Sequence, residues 1–463
     1  MTIACCLFFF MVILLVGFAL TALILRGAEG YNPLEACCLI LPLGLGGTGL
    51  VLFWLSLAGF KPSGVVLSLI SALAAVGLVY MGRKGWLALF SFTADDSEIQ
   101  VLKRRLWFTV PCVAAAAATF LVVCGDAFLM PLYMIDSFVI WNLKAKVLFH
   151  DAILSNPYFH ELPLSFSHLD YPMLVPFLVS GVYAALGYTD DVVGKSVHPV
   201  IYVAFVGLSY VALRWRNAPA PSLILAAIVA TLPPVVQWSA SGTADMPLTL
   251  FYLGSVYYMA RVFDKDGCRS ADIALGALFA TFCAFCKNEG MALALISIVI
   301  FTGFSFIRGR GGRETAMTVA RYVVLLGLLL APWVVFNHFL PQTYENYPAR
   351  LNLETFQANM SRMPAVVAEF SLCVSNFWRW GLFWILFAVS ACVGWRAITL
   401  RPAQVLWTLF VAHILLYWFV FVVSPFEPHH LATMSLERLL LHAVPAALLI
   451  ISCNCGKIFP PTT

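Results

Sequence analysis

The sequence predicts an all-α polytopic membrane protein with about 13 transmembrane helices. Three observations predict it. Of its 463 residues, 62% are hydrophobic and 11% charged, with a mean hydropathy of +0.90, so most of the chain cannot form a water-solvated globular surface. Apolar runs of about 18 residues or more recur along its whole length. The runs are uniformly apolar, not alternating, and backbone in lipid must satisfy its own hydrogen bonds, which points to helices and away from barrel strands.

The first run, 3–25, has no basic flank before it and exceeds a signal-peptide core, so it is expected as a retained first span. Its N-terminus is expected outside, because the first positive charge, Arg26, follows it. Spans 36–59 and 63–81 come next. The stretch 82–105, with Asp95, Asp96 and Glu98 before Lys103, Arg104 and Arg105, reads as a cytoplasmic linker. It sets a unit of three N-terminal helices, 1–105, apart from the remainder, 106–463. The remaining spans are expected at 106–124, 192–213, 220–238, 246–263, 272–286, 290–307, 318–340, 373–394, 404–423 and 438–453.

Alternation of these spans puts Arg83 and Lys84, Arg214 and Arg216, Arg261, Lys265 and Arg269, Arg308, Arg310 and Arg313, Arg396 and Arg401, and Lys457 on one side, the inside. Segment 171–188 is also apolar, but counting it as a crossing would move every later basic loop outside. It is therefore expected to be re-entrant or interfacial, with Pro172 and Pro176 in its first turns. The polar clusters at 125–170, 239–245, 287–289, 341–372 and 424–438 then share the opposite face, within or beside the two larger extracytoplasmic loops, 125–191 and 341–372. There is no internal repeat and no low-complexity tract.

A net charge of +4 spread over short loops forms no nucleic-acid groove, so the expected surroundings are the lipid bilayer and no nucleic acid. The 13 Cys fall mainly inside apolar spans, where Cys packs as a small hydrophobe; the C-x-x-C pair Cys283 and Cys286 has no second pair to complete a metal site.

The polar clusters hold the candidate chemistry. In GDAFLMPLYMIDSFVIWNLKAKVLFHD, Asp136, Trp141, Lys144 and Phe149 are expected on one side of an amphipathic surface helix led by Asp136. Asp136 is either an N-cap or a carboxylate whose apolar neighbours raise its basicity to that of a general base. In SFSHLDYPMLVP, His168 and Asp170 are either solvated or, with Asp136, ligands for a divalent cation such as Mg or Mn; no ligand spacing is defined, and the metal stays open. Asp245 follows Ser239, Ser241, Gly242 and Thr243 as a helix cap or a functional acid. In CKNEG, Lys287 and Glu289 lie between two apolar helices at a depth where charge marks function, with an internal salt bridge from Lys287 to Glu289 or Asp245 as the alternative. SPFEPHHLATMSLERLL contributes Glu427, His429, His430, Glu437 and Arg438. Arg438 suits a bidentate grip on phosphate, with Lys287 and then Lys144 as further cations; the alternative is an arginine snorkelling from a helix end.

Asp136-Ser137 with Trp141-Asn142-Leu143-Lys144-Ala145, then Asp170-Tyr171-Pro172, Gly242-Thr243-Ala244-Asp245, Lys287-Asn288-Glu289-Gly290 and Glu437-Arg438, resemble the GT-C superfamily of membrane glycosyltransferases. That superfamily includes protein O-mannosyltransferases and the aminoarabinose transferases of lipid A, and the nearest likeness is to a bacterial branch known only generally as glycosyltransferases. The resemblance spans 126–445 and leaves the three N-terminal spans outside. It implies a GT-C-like catalytic transmembrane domain with interfacial or re-entrant helices in the first large extracytoplasmic loop. It also implies a first acidic residue there, Asp136, as catalytic base, and a polyprenyl-phosphate-linked sugar as donor. The chain departs from the family where Asp170-Tyr171-Pro172-Met173 replaces the His or Lys that many members carry before a Pro-Pro-Leu run, and where Glu437 adjoins Arg438 and is placed to neutralise it.

The expected function is transfer of a sugar to a glycan, lipid or protein acceptor of the envelope, in the cytoplasmic membrane with the site facing the periplasm or outside. Asp136, Asp170 and Asp245 are the expected catalytic acids; Lys287, Arg438 and Lys144 the phosphate contacts; Trp141, His168, Tyr171, Glu289 and His429 the substrate contacts, joined by Tyr344 and Tyr347 in 342–362. Direct displacement would invert the anomeric centre. The rivals are a transporter or flippase of lipid-linked sugars, which the lack of repeats counts against, and a non-catalytic envelope-assembly protein.

Overall fold

The structure, a computed structural model, describes residues 2–28, 31–82, 106–264, 269–308, 311–341 and 347–458. The linker charges Asp95, Asp96, Glu98, Lys103, Arg104 and Arg105, the loop cations Arg83, Lys84, Lys265 and Arg310, and Tyr344 lie outside the described residues. Among the described residues the chain is helical throughout, with no strand. The principal helices are α1 Thr2–Leu25, α2 Pro33–Leu57, α3 Gly64–Met81, α4 Leu106–Leu129, α5 Leu143–His150, α6 Leu174–Leu186, α7 Val197–Arg214 and α8 Pro219–Ala230. They continue as α9 Asp245–Val262, α10 Ser270–Ala284, α11 Asn288–Ile307, α12 Gly312–Asn337, α13 Met363–Ser375, α14 Phe383–Val393, α15 Arg401–Val423 and α16 Glu437–Ile458.

Nine of the described helices are long and apolar enough to cross a membrane: α1 to α4, α7, α11, α12, α15 and α16. α9 is different. All of its residues from Asp245 to Val262 are buried, so it is a central post wrapped by the other helices, and this is why it tolerates Tyr252, Ser255, Tyr257, Tyr258 and Arg261. The first two helices pack backbone to backbone: a Cβ at Gly17 would stand 1.8 Å from the Ile40 carbonyl oxygen, and one at Gly44 2.1 Å from that of Ile13.

The segment between α4 and α7 leaves the bundle and returns at the same end. Lys195, just before α7, donates to the carbonyls of Asp126 and Met130 at 3.1 and 2.6 Å, capping the last turn of α4. Within it, α6 has 13 residues, a rise of roughly 20 Å against a hydrocarbon core of about 30 Å. Its deep start is tied by the Leu174 amide to the Phe285 carbonyl at 3.0 Å, while Tyr188 beyond its other end meets Thr2. The helix in segment 171–188 is thus shorter than the nine spanning helices and is tied at its two ends to Phe285 and Thr2.

The two ends of the bundle differ in chemistry. At one end, Arg216 pairs with Asp264 at 2.7 Å, Arg308 caps the α9 end at the Val262 and Asp264 carbonyls, and Arg261 is buried between Glu35 and Asp272. At the other, α9, α11 and α16 begin together, each with an acidic residue in its first turn, where the helix dipole favours negative charge.

Two expected spans are broken. The run 220–238 divides at Pro233-Pro234 into α8 and a short helix Pro233–Trp238, because neither proline donates to the ladder. The run 373–394 divides at Asn376 and at Gly381, whose φ of +52° suits a residue without a Cβ, leaving α13, a turn Phe377–Trp380 and α14. Both breaks carry side chains to the acidic end.

Candidate functional site

At that end, four segments far apart in sequence meet around Asp245, the first residue of α9. Gly242, at φ +79°, turns the chain so closely that a Cβ there would sit 3.3 Å from Ser137 Cβ and 3.6 Å from Asn142 Nδ2, seating the Ser239 to Asp245 turn on the π-helical turn Ser137–Asn142. The Thr243 carbonyl accepts from His198 Nε2 at 3.2 Å. Asp245 makes no capping bond. Its buried carboxylate instead faces Lys287 at 3.1 Å, His442 Nε2 at 3.3 Å and Arg438 at 3.9 Å.

Lys287 also reaches Glu289 at 3.0 Å, so both salt bridges considered for it from the sequence form at once. The tight start of α11 is made by Gly290, where a Cβ would lie 1.9 Å from the Cys283 carbonyl oxygen; the Lys-Asn-Glu-Gly run needs its glycine for this approach.

Arg438 donates to Asp136, and its guanidinium carbon lies 5.4 Å from the Trp238 ring centre. Asp136 makes no capping bond to the turn it precedes, and over a third of its side chain is exposed. Glu437 does not neutralise Arg438. It is taken by Arg379 through both carboxylate oxygens and by Trp238 Nε1 at 3.2 Å, while Arg379 also donates to Gln237 at 2.6 Å. Arg379 comes from the Gly381 break and Trp238 with Gln237 from the Pro233-Pro234 helix.

Beside this cluster lies a second group. Lys144 is not on a surface helix, as expected, but fully buried. Its amine donates to the His168 carbonyl and, at 3.5 Å, to the Tyr171 carbonyl, with the Tyr171 ring centre at 5.9 Å. The amphipathic-surface expectation fails because the π-helical turn re-aims the residues after Asp136, and Trp141 and Lys144 both turn inward. Burial pushes the Lys144 amine down to about 7, opposed by the nearby Asp170 carboxylate. His168 holds the left-handed backbone at φ +52°, a strained position for a non-glycine residue, and its ring stacks 4.5 Å from that of Tyr171, which lies 6.0 Å from Trp141. Burial and the Lys144 charge push His168 down to about 4, and Asp136, Lys287 and Glu289 are near enough to act on it too.

Asp136, Lys144, His168, Asp170, Asp245, Lys287, Glu289 and Arg438, with Trp141 and Tyr171, thus share one locality. His429 does not join it: its ring is 80% exposed and pairs with Glu369 at 2.9 Å. Tyr347 bonds Ser424 at 3.3 Å. Among the described residues no three His, Cys, Asp or Glu side chains gather as metal ligands, so Asp136, His168 and Asp170 form no such group.

Sequence reasoning missed His442, Arg379 and Trp238. His442 lies between Asp245 and the Tyr417 hydroxyl, 3.0 Å from its Nδ1. Its signal was present, since positions 438 and 442 share a helix face.

Residues 170–336 match the model of the dolichyl-phosphate-mannose-protein mannosyltransferase family, and the match supports a multi-pass membrane glycosyltransferase of GT-C type. No curated protein and no solved structure matches the chain.

Proposed function

From the likeness of this chain to GT-C membrane glycosyltransferases, we propose that it moves a sugar from a polyprenyl-phosphate-linked donor to a glycan, lipid or protein acceptor on the extracytoplasmic face. The arginine-rich opposite end of the bundle supports this orientation, since the positive-inside rule favours such an end in the cytoplasm. The observation that carries the proposal is the convergence of a partly exposed carboxylate, Asp136, with two cations, the buried Lys287 and the half-buried Arg438, at the starts of three helices.

Asp136 takes the proton of the acceptor hydroxyl. The acceptor oxygen bonds to the anomeric carbon as the bond from that carbon to the phosphate oxygen breaks, and polyprenyl phosphate leaves with both electrons toward Arg438 and Lys287. A single displacement inverts the anomeric centre. Asp245 holds the two cations in place, Lys144 and Asp170 shape the floor, and Trp141, Tyr171, His168 and Glu289 face the sugar.

The test replaces Asp136 by Asn in membranes loaded with labelled polyprenyl-phosphate sugar and follows donor and product together. Loss of product with donor intact on the outer face is expected. Unchanged product formation would sink the proposal, and donor held on the cytoplasmic face would favour transport.

A further inference from the structure

The general base and the phosphate-binding cation of the proposed mechanism are bonded to each other in the unliganded protein. Arg438 donates to Asp136, and among the described residues it is the one side chain that bonds Asp136. The Asp136 oxygen held this way is taken by the guanidinium and is not open to the proton of an incoming hydroxyl while that bond stands. The cation, in turn, gives to that carboxylate the Nη1 donor that a phosphate oxygen would need.

We propose that the donor phosphate and Asp136 compete for Arg438, so that seating the donor is what releases the base, and that donor binding therefore precedes productive acceptor binding. The inference rests on the glycosyltransferase reading above. The two carboxylates around Arg438 are unequal in a way that decides which one yields. Asp245 is 1% exposed and is also held by Lys287 and His442, so moving it would strand three partners. Asp136 is 36% exposed, has no capping bond and can turn toward solvent at little cost. Arg438 itself is steadied by Asp245 and by the Trp238 ring, so it stays in place when Asp136 leaves. A phosphodiester matches the guanidinium fork at least as well as a carboxylate does. Covalent bonds are unchanged in this step; one ion pair is exchanged for another.

The prediction is opposite to what loss of a catalytic group usually brings: removing the base tightens binding of the phosphate lipid. Purified full-length protein in detergent is titrated with a short-chain polyprenyl phosphate. Asp136→Asn is expected to bind it about fivefold or more tightly than wild type, Arg438→Gln at least tenfold more weakly, and Asp191→Asn, which removes an equally exposed carboxylate paired with Lys146, within about twofold. Asp136→Ser serves as a second variant should Asn disturb the fold, which a thermal melt reports. Equal or weaker binding by both Asp136 variants overturns the exchange while leaving the donor site at Arg438 intact. Equal tightening by Asp191→Asn overturns it too, since it would reduce the effect to general charge removal. Failure of wild type to bind the phosphate lipid overturns the reading beneath it.

Discussion

Gly290 approaches Cys283 so closely that a methyl group on its Cα would stand 1.9 Å from the Cys283 carbonyl oxygen. Helix α11 is thereby locked to the end of α10, and Lys287 and Glu289 are delivered to Asp245. Gly290→Ala should cost about 1–3 kcal/mol and lower kcat at least tenfold without altering any charge. Gly303, with open space around a built Cβ, provides the control: Gly303→Ala should leave both unchanged. Melting curves and turnover of the pair decide it.

Asp245 is a buried carboxylate shared by Lys287, Arg438 and His442. Asp245→Asn leaves buried cations without their counter-charge, and a loss of about 3–5 kcal/mol is expected. The double variant Asp245→Asn with Lys287→Met should regain part of that loss, because one stranded charge is gone. A thermal-stability cycle that proves additive would contradict the coupling.

Glu437 stands next to Arg438 in sequence but is bonded to Arg379 and Trp238. The Arg379 side chain is about one third exposed, so Glu437→Gln should change stability by no more than about 1 kcal/mol. Polyprenyl-phosphate affinity should stay within about twofold of wild type. A large gain in affinity would mean that Glu437, not Asp136, neutralises Arg438.

Lys144 gives the stability a pH slope. Burial lowers its amine from 10.5 to about 7 in the folded protein. Below that pH both states hold the proton and the burial penalty is complete. Between the folded value and 10.5 the unfolded chain binds more protons than the folded one, so stability rises with pH. The melting temperature should therefore increase from about pH 7 to pH 9 in wild type, and this increase should shrink in Lys144→Met. Parallel slopes in the two proteins would show that Lys144 does not titrate there.

Charge counting drew attention to 171–188, whose helix is short, and grouped the loop arginines apart from the acidic clusters, because loop cations are a property of sequence alone. The short motifs around Asp136, Asp170, Asp245, Lys287 and Arg438 were legible for a related reason, as each stands out against apolar flanks. What stayed hidden depended on backbone breaks. Arg379 lies within what reads as one continuous span, and only the Gly381 turn brings it to Glu437; Trp238 reaches Arg438 only because Pro233-Pro234 starts a new helix. Lys144 was misplaced to the surface because a π-helical turn shifts the phase of everything after Ser137. His429 looked equivalent to its polar neighbours, yet pairs with Glu369 away from the cluster.

Glu35 is drawn into the bundle by Arg261, 226 residues later, and shares it with Asp272. During synthesis the carboxylate must wait at the mouth of α2 until α9 and α10 have been made. Chains arrested before residue 261 therefore carry Glu35 at the start of α2 without the arginine that compensates it in the finished fold.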